Sequence, residues 1–450
     1  MRNKEFSTIL FPLYILIGLS LTLLSQNFSF LISFGLYYFF VVFIGFLFIK
    51  KINKSNFLSI VTLFLSIYSV YAIISHFTFI EDPFTDYFVD IDETKFIYDA
   101  VELAKLDYSE IWYNAFSKFQ YSGSPLFYAW IGSLQRLSDL NPFYGLLFQK
   151  LNVVLFGSFI PGIVYLICDQ ITDKKNAFKA AVIYGLFSFT FFYSIGMMRD
   201  IHVALIYIIC LYIIIENTYS FKKNFILIAL GVIVYYLRFE NGLFFIALIG
   251  VFALKLGKKN KGFVTAAALV VLAGLIILIG GLDSIFGSAG NTIQSYSLRG
   301  VEMAEVNSLG VQLMRLPVPI NWIGITAFGQ ISPFPFWVIF EEEKGLVKNI
   351  FYIPHAIACL FWFGVWTRII LYSKKSKELF KKYKYTCIVT VLYIIVVSMA
   401  QPNARRLMAV YPVVFMIFVF LSKKELKLKE FILDTSIYAI LLLIYFFLKA

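Results

Sequence analysis

SFLISFGLYYFFVVFIGFLFI, residues Ser29–Ile49, runs for 21 positions without a charged side chain and stops against Lys50 and Lys51. A helix of about 20 apolar residues crosses the hydrocarbon layer of a bilayer and satisfies its own backbone hydrogen bonds on the way. The rest of the chain repeats the pattern. Sixty per cent of its 450 residues are hydrophobic and 15% charged, against roughly 45–50% apolar and about 25% charged in soluble domains. No soluble core hides that much apolar surface, so the composition predicts an all-α polytopic membrane protein and a single integral-membrane domain over 1–450.

Thirteen spans are expected with a window of about 19 residues: near 8–24, 29–49, 57–77, 143–168, 180–198, 201–216, 225–237, 242–256, 263–282, 350–372, 386–400, 407–421 and 432–448. The first follows Arg2 and Lys4. No small-residue cleavage site follows it, so it is expected to remain as an anchor. The net charge of +12 would suggest nucleic acid in a soluble protein, but here the basic residues form short clusters between apolar runs, and no nucleic-acid partner is expected. With a cytoplasmic N-terminus, the clusters at Lys50/Lys51/Lys54, Lys174/Lys175/Lys179, Lys222/Lys223, Lys255 to Lys261, Lys374 to Lys384 and Lys423 to Lys429 all fall on the cytoplasmic side, as the positive-inside rule requires.

The same parity places two long segments outside, 78–142 and 283–349. The first carries ten carboxylates between Glu81 and Glu110 and ends in SPLFYAWIGSLQRLS, Ser124–Ser138, an amphipathic stretch suited to lying on the membrane surface. The second holds LMRLPVPINWIGITAFGQISPFPFW, Leu313–Trp337, whose prolines interrupt an apolar run. It reads as a re-entrant or interfacial pair of short helices. Cys168, Cys210, Cys359 and Cys387 lie in or at the ends of apolar segments without metal spacing and read as buried thiols.

Four outer positions carry charge where it is expensive. In VDIDETKFIYDAVELAK, Val89–Lys105, a helix beginning at Asp92 puts Phe96, Ala100 and Leu103 on one face. Asp92 and Glu93 then lie at its N-terminus, where the macrodipole favours them, and a carboxylate there could also serve as a general base for an acceptor hydroxyl. SIGMMRDIHV, Ser194–Val203, presents Arg199 and Asp200 at a turn between spans, either as a local ion pair or toward a site. YYLRFENGLFF, Tyr235–Phe245, interrupts a long apolar stretch with Arg238, Glu240 and Asn241. AQPNARRLMAVYPVVF, Ala400–Phe415, places Arg405 and Arg406 outside, against the usual sign bias. Guanidinium forks match phosphate oxygens, whereas snorkelling to the interface is the plainer role.

An acidic pair soon after a transmembrane helix, an aromatic three positions on, then an alanine and a loop leading to Ser/Pro-Leu-x-Tyr resembles the GT-C glycosyltransferases. The closest branch is that of the protein O-mannosyltransferases and aminoarabinose transferases, whose pattern is roughly Asp-Glu-x-x-Tyr/Phe, matched by Asp92, Glu93 and Phe96. Pro125, Leu126 and Tyr128 match the second segment, and the likeness extends over about 91–250. The pair follows the third predicted span instead of the first, and Ser-Gly-Ser stands where the family has His-Pro-Pro. Arg238 to Glu240 resembles the family's Arg-Pro-Glu turn with Phe239 in place of proline, and Arg406 to Pro412 its late Arg-x-x-x-x-x-Pro helix.

The resemblance implies transfer of a sugar from a polyprenyl-phosphate-linked donor to a hydroxyl on a glycan, lipid or protein acceptor. Asp92 and Glu93 would be catalytic. Arg238, Arg405, Arg406 and Arg199 would hold the donor phosphate, supported by Asp200, Glu240 and Tyr128. No cofactor is fixed by the sequence; a carboxylate could instead hold a divalent cation. A polysaccharide polymerase with a lipid pyrophosphate donor and a lipid or oligosaccharide transporter stay open as alternatives. His76, His202 and His355 share no metal spacing, Glu341 to Glu343 read as a solvated run, and no Gly-rich nucleotide loop is present. Lys-, Ile-, Asn- and Phe-rich usage points to a bacterial plasma membrane.

Overall fold

The computed structural model describes residues 3–49, 51–118, 121, 123–216, 221–238, 241–242, 313, 316–317, 320–331, 336–340, 345–400, 404–421 and 436–443. Among these, ordered structure is helical throughout, with no strand. Four segments are long and apolar enough to cross a membrane: Ser29–Phe46, Asn53–Phe79, Pro142–Cys168 and Ile353–Leu371. The chain divides into two compact units, one formed by Met1–Leu186 and Thr190–Ser284, the other by Phe187–Phe189 and Ile285–Ala450.

In the first unit α1 (Asn3–Ser25), α2 (Ser29–Phe48) and α3 (Lys51–Phe79) are followed by three short helices, α4 (Asp92–Ala104), α5 (Tyr108–Ser117) and α6 (Pro125–Ser138). Then come α7 (Pro142–Cys168), α8 (Lys174–Phe187), α9 (Phe189–Ser194), α10 (Arg199–Glu216) and α11 (Phe221–Leu237). Helix α7 is the axis, buried over nearly its whole length and packed on α3 and α10. It starts where it does because Pro142 fits the first helical position and the Asn141 side chain accepts the Tyr144 N–H at 3.0 Å. In lipid, helices associate through close packing rather than through exclusion of water. Gly162 supplies that closeness, since a Cβ there would stand 2.6 Å from Val61 Cγ2 on α3.

Helix α4 has the predicted register, with Phe96, Ala100 and Leu103 buried. Helix α6 begins on Pro125 and ends at Asp139, which adopts a left-handed backbone (φ 49). Its face carrying Phe127, Tyr128, Ile131 and Gly132 is buried against α4, α5, α7 and α11. Other helices cover this face, while Trp130 and Leu137 of the same helix stay exposed.

Arg136 ties this layer together. Its guanidinium donates to the carbonyls of Ala104 and Leu106 and to the Asp107 side chain at 2.6 Å, closing the end of α4 and the start of α5.

The stretch 180–198 is two helices broken at Ser188, α8 and α9, whereas 201–216 and 225–237 each fall within one helix, α10 and α11. The expected spans 242–256, beyond residue 242, and 263–282 lie outside the described residues.

The second unit contains α12 (Ile320–Ile331), α13 (Gly345–Phe351), α14 (Ile353–Leu371), α15 (Lys377–Lys382), α16 (Lys384–Ala400), α17 (Ala404–Leu407) and α18 (Tyr411–Leu421). Helix α12 lies within the proline-interrupted segment and, at about 1.5 Å per residue, is roughly 18 Å long. Trp362 of α14 packs on Tyr411 of α18, with ring centroids 4.1 Å apart. The stretch 407–421 is broken between α17 and α18, and 432–448 is described only over 436–443. All four cysteines are free and buried, as expected.

Candidate functional site

The chain enters α4 through a turn in which Asp90 does the capping. Its carboxylate accepts the Asp92 N–H at 3.1 Å and its carbonyl accepts the Glu93 N–H at 3.0 Å. Successive helical residues point about 100° apart, and here that step separates the acidic pair. Asp92 is half-buried at the edge. Glu93 is fully buried and ion-paired with Lys150 of α7 at 3.1 Å, itself fully buried. The remaining lone pairs of Glu93 accept from the Phe88 N–H at 3.3 Å and the Met197 N–H at 3.1 Å. Three segments thus converge on this carboxylate, while Lys150 Nζ makes no hydrogen bond among the described residues and meets it as an ion pair.

Gly196 permits that approach. A Cβ there would collide with the Glu93 carboxylate and stand 2.8 Å from Val89 Cβ. Gly196→Ala is therefore expected to destabilise the protein by about 1–3 kcal/mol, the usual cost of overpacking. Thermal unfolding in detergent checks this, and an unchanged midpoint would mean that the Met197 turn is not held against Glu93.

The second charged dipeptide divides in the same way. Helix α10 opens on Arg199 and Asp200, an acidic first turn. Asp200 is buried and bonded to the guanidinium of Arg238, also buried, at the end of α11. The chain turns there: Asn241 N–H donates to the Arg238 carbonyl at 3.1 Å, and the Asn241 carbonyl accepts from the Tyr207 hydroxyl at 2.7 Å. Arg199 stays half-exposed. It donates to the Ser124 hydroxyl and lies 5.8 Å from the Phe96 ring centroid. Glu240 lies outside the described residues.

Tyr128 joins the two places. Burial pushes its phenol well up; Arg199 pulls it down, while Asp99 and Asp92 push it further up. The Tyr121 ring stands 4.6 Å away. Asp92, Asp99, Tyr128 and Arg199 thus share one electrostatic neighbourhood, reached by α4, α6 and α10.

Burial also holds the Asp99 carboxyl above its ordinary range, with Lys95 opposing. The folded state then binds this proton more tightly than the unfolded chain does. Its contribution to stability falls as pH rises from the ordinary carboxylate range through the raised value. Asp99→Asn is expected to remove that slope, read as the difference between wild-type and variant melting midpoints across the acidic range. Parallel curves would mean that Asp99 is solvated.

An apolar cavity of about 230 Å³, lined by Leu126, Trp130, Phe156, Leu205, Ile233 and Leu237 among others, opens between α6, α7, α10 and α11. His202 also lines it and packs on Phe156 at 4.5 Å. His76 packs on Phe143 at 4.5 Å and His355 on Phe189 at 5.6 Å. Among the described residues no group of three or more His, Cys, Asp or Glu is placed to hold a metal ion. Glu341 to Glu343 lie outside them.

Arg405 and Arg406 belong to the second unit. They sit on α17, Arg405 buried and Arg406 half-buried, and the Arg406 carbonyl accepts from the Tyr393 hydroxyl at 3.1 Å.

Lys150 is the residue that hydropathy reading passes over. One cation does not break an apolar window, but a charge inside a span calls for a partner, and that requirement was its signal. No family model matches the chain, and neither a curated protein nor a solved structure matches it.

Proposed function

We propose that the chain is an integral-membrane glycosyltransferase of GT-C type. It would have thirteen spans and a cytoplasmic N-terminus in a bacterial plasma membrane, and would move a sugar from a polyprenyl-phosphate donor to a hydroxyl acceptor on the outer face. The observation that carries this reading is the division of labour in the two dipeptides. Glu93 and Asp200 are spent inward on Lys150 and Arg238, which fixes their neighbours Asp92 and Arg199 at the edge around Tyr128.

In the proposed reaction Asp92 takes the proton of the acceptor hydroxyl as its oxygen bonds to the anomeric carbon. The bond from that carbon to the phosphate oxygen breaks, and the phosphate leaves with its charge held by Arg199. Pre-set donors for developing charge are commonly the largest contribution to such catalysis. Glu93, Asp200 and Arg238 are positioning residues in this scheme, and the apolar cavity beside α10 suits the donor's hydrocarbon. The resemblance also assigns Arg405 and Arg406 to donor phosphate.

The test is transfer of labelled sugar from polyprenyl-phosphate donors in membranes carrying the wild type, Asp92→Asn or Arg199→Ala at matched folded amounts. Transfer should fall about a hundredfold or more in Asp92→Asn, the lower end of what general-base removal costs, and also in Arg199→Ala. Wild-type transfer indifferent to Asp92 and Arg199 would remove the site assignment. Absence of transfer from every polyprenyl donor offered would remove the function.

A further inference from the structure

We propose that α5 is an interfacial anchor, with an aromatic face seated in the headgroup layer of the outer leaflet. The sequence YSEIWYNAFS gives this helix three faces. Ile111 and Ala115 are buried against the protein. Tyr108, Trp112, Phe116 and Tyr113 follow around the next arc of about 140° at 100° per residue, and they are 46%, 44%, 43% and 72% exposed. Ser109 falls within that arc between Phe116 and Tyr113, and Ser117, Glu110 and Asn114 make up the polar side. A helix wholly in water has no use for four neighbouring exposed aromatics, and one wholly in lipid would not carry Glu110. Protein on one side, lipid on the second and water on the third account for the whole sequence.

The neighbours say which surface covers the aromatic arc. Trp112 and Phe116 stack at 6.1 Å, and the Phe116 ring meets Tyr236 of α11 at 5.3 Å. Helix α11 is one of the apolar helices, and its Val232 and Ile233, a turn before Tyr236, are exposed. The aromatic arc therefore continues an apolar outer surface of the bundle, at the end of α11 that carries Arg238. Tryptophan and tyrosine concentrate at this depth because the ring is apolar and its N–H or O–H is not. The charges beside α5 balance, Asp107 being paired with Arg136 and Glu110 standing on the same helix as the C-cap Lys118, so the partner is a neutral or zwitterionic headgroup layer engaged by ring burial. Through the Arg136 contacts with the α4–α5 junction, this anchor also sets the height of α4 above the bilayer. The inference does not depend on the glycosyltransferase reading.

The experiment uses the full chain in phosphatidylcholine vesicles containing lipids brominated high or low on the acyl chain. The Trp112 signal is the wild-type emission minus that of Trp112→Phe. Tyr113→Trp in that variant gives a second reporter should the first substitution disturb folding. The expected result is a blue-shifted component quenched by the shallow bromines at least twice as strongly as by the deep ones, unchanged between low and high salt. Quenching by aqueous iodide without bromolipid quenching places α5 in water and overturns the proposal. Protection from both quenchers means that protein covers the face, as a second copy would, and overturns it equally.

Discussion

Lys150→Ala is expected to cost the protein about 3–5 kcal/mol, the price of leaving one member of a buried ion pair alone. Domains are typically stable by about 5–15 kcal/mol, so the loss should show as a large fall in folded yield and melting midpoint. Glu93 would be left fully buried with only the Phe88 and Met197 N–H groups facing it. Two backbone donors do not replace an ammonium. Glu93→Gln with Lys150→Met should recover part of the loss, because no buried charge is then left alone. The four buried cysteines provide the readout, as their reaction with a thiol dye on heating reports global opening. A Lys150→Ala protein that opens at the wild-type temperature would mean that the pair does not form.

That pair also marks how far the sequence could be read. Periodicity fixed the register of α4, since Phe96, Ala100 and Leu103 recur at helical steps and are buried, with Ile97 beside them. It could not say which of Asp92 and Glu93 turns inward, because the choice rests on Lys150 and on the Met197 turn, both remote in sequence. The stretch Ser124–Ser138 has an apolar face in any reading, yet amphipathicity is blind to what covers that face. The structure covers it with α4, α5, α7 and α11, while α5, a shorter segment with only two buried residues, keeps its aromatics exposed. Window averaging likewise ran 180–198 together as one span, although the chain breaks at Ser188. The site's charges were visible because charge beside apolar runs is rare. Their division into inward pairs and edge groups was not, because pairing is a property of three dimensions.

Arg238→Ala is expected to be comparably damaging, about 3–5 kcal/mol, and what it does to transfer separates two roles. The resemblance made Arg238 a ligand of the donor phosphate. In the structure its guanidinium is 2% exposed and bonded to Asp200, itself 6% exposed. A guanidinium so engaged would have to leave a buried carboxylate to meet a phosphate, and breaking that pair costs as much as the substitution does. The same contact holds the start of α10, and with it Arg199, against the turn after α11. Arg238→Ala alone cannot decide between the roles, since a misfolded protein transfers nothing. The decisive variant is Arg238→Met with Asp200→Asn, which removes both charges and leaves no buried charge alone. If Arg238 acts only by holding Asp200, the double variant should regain the wild-type melting midpoint to within about 1 kcal/mol, the scale on which neutral replacement of a buried pair is tolerated. It should also keep transfer within about tenfold. If the double variant folds equally well and transfer stays down by a hundredfold or more, the guanidinium itself meets the phosphate, and Arg238 rather than Arg199 is the principal donor ligand.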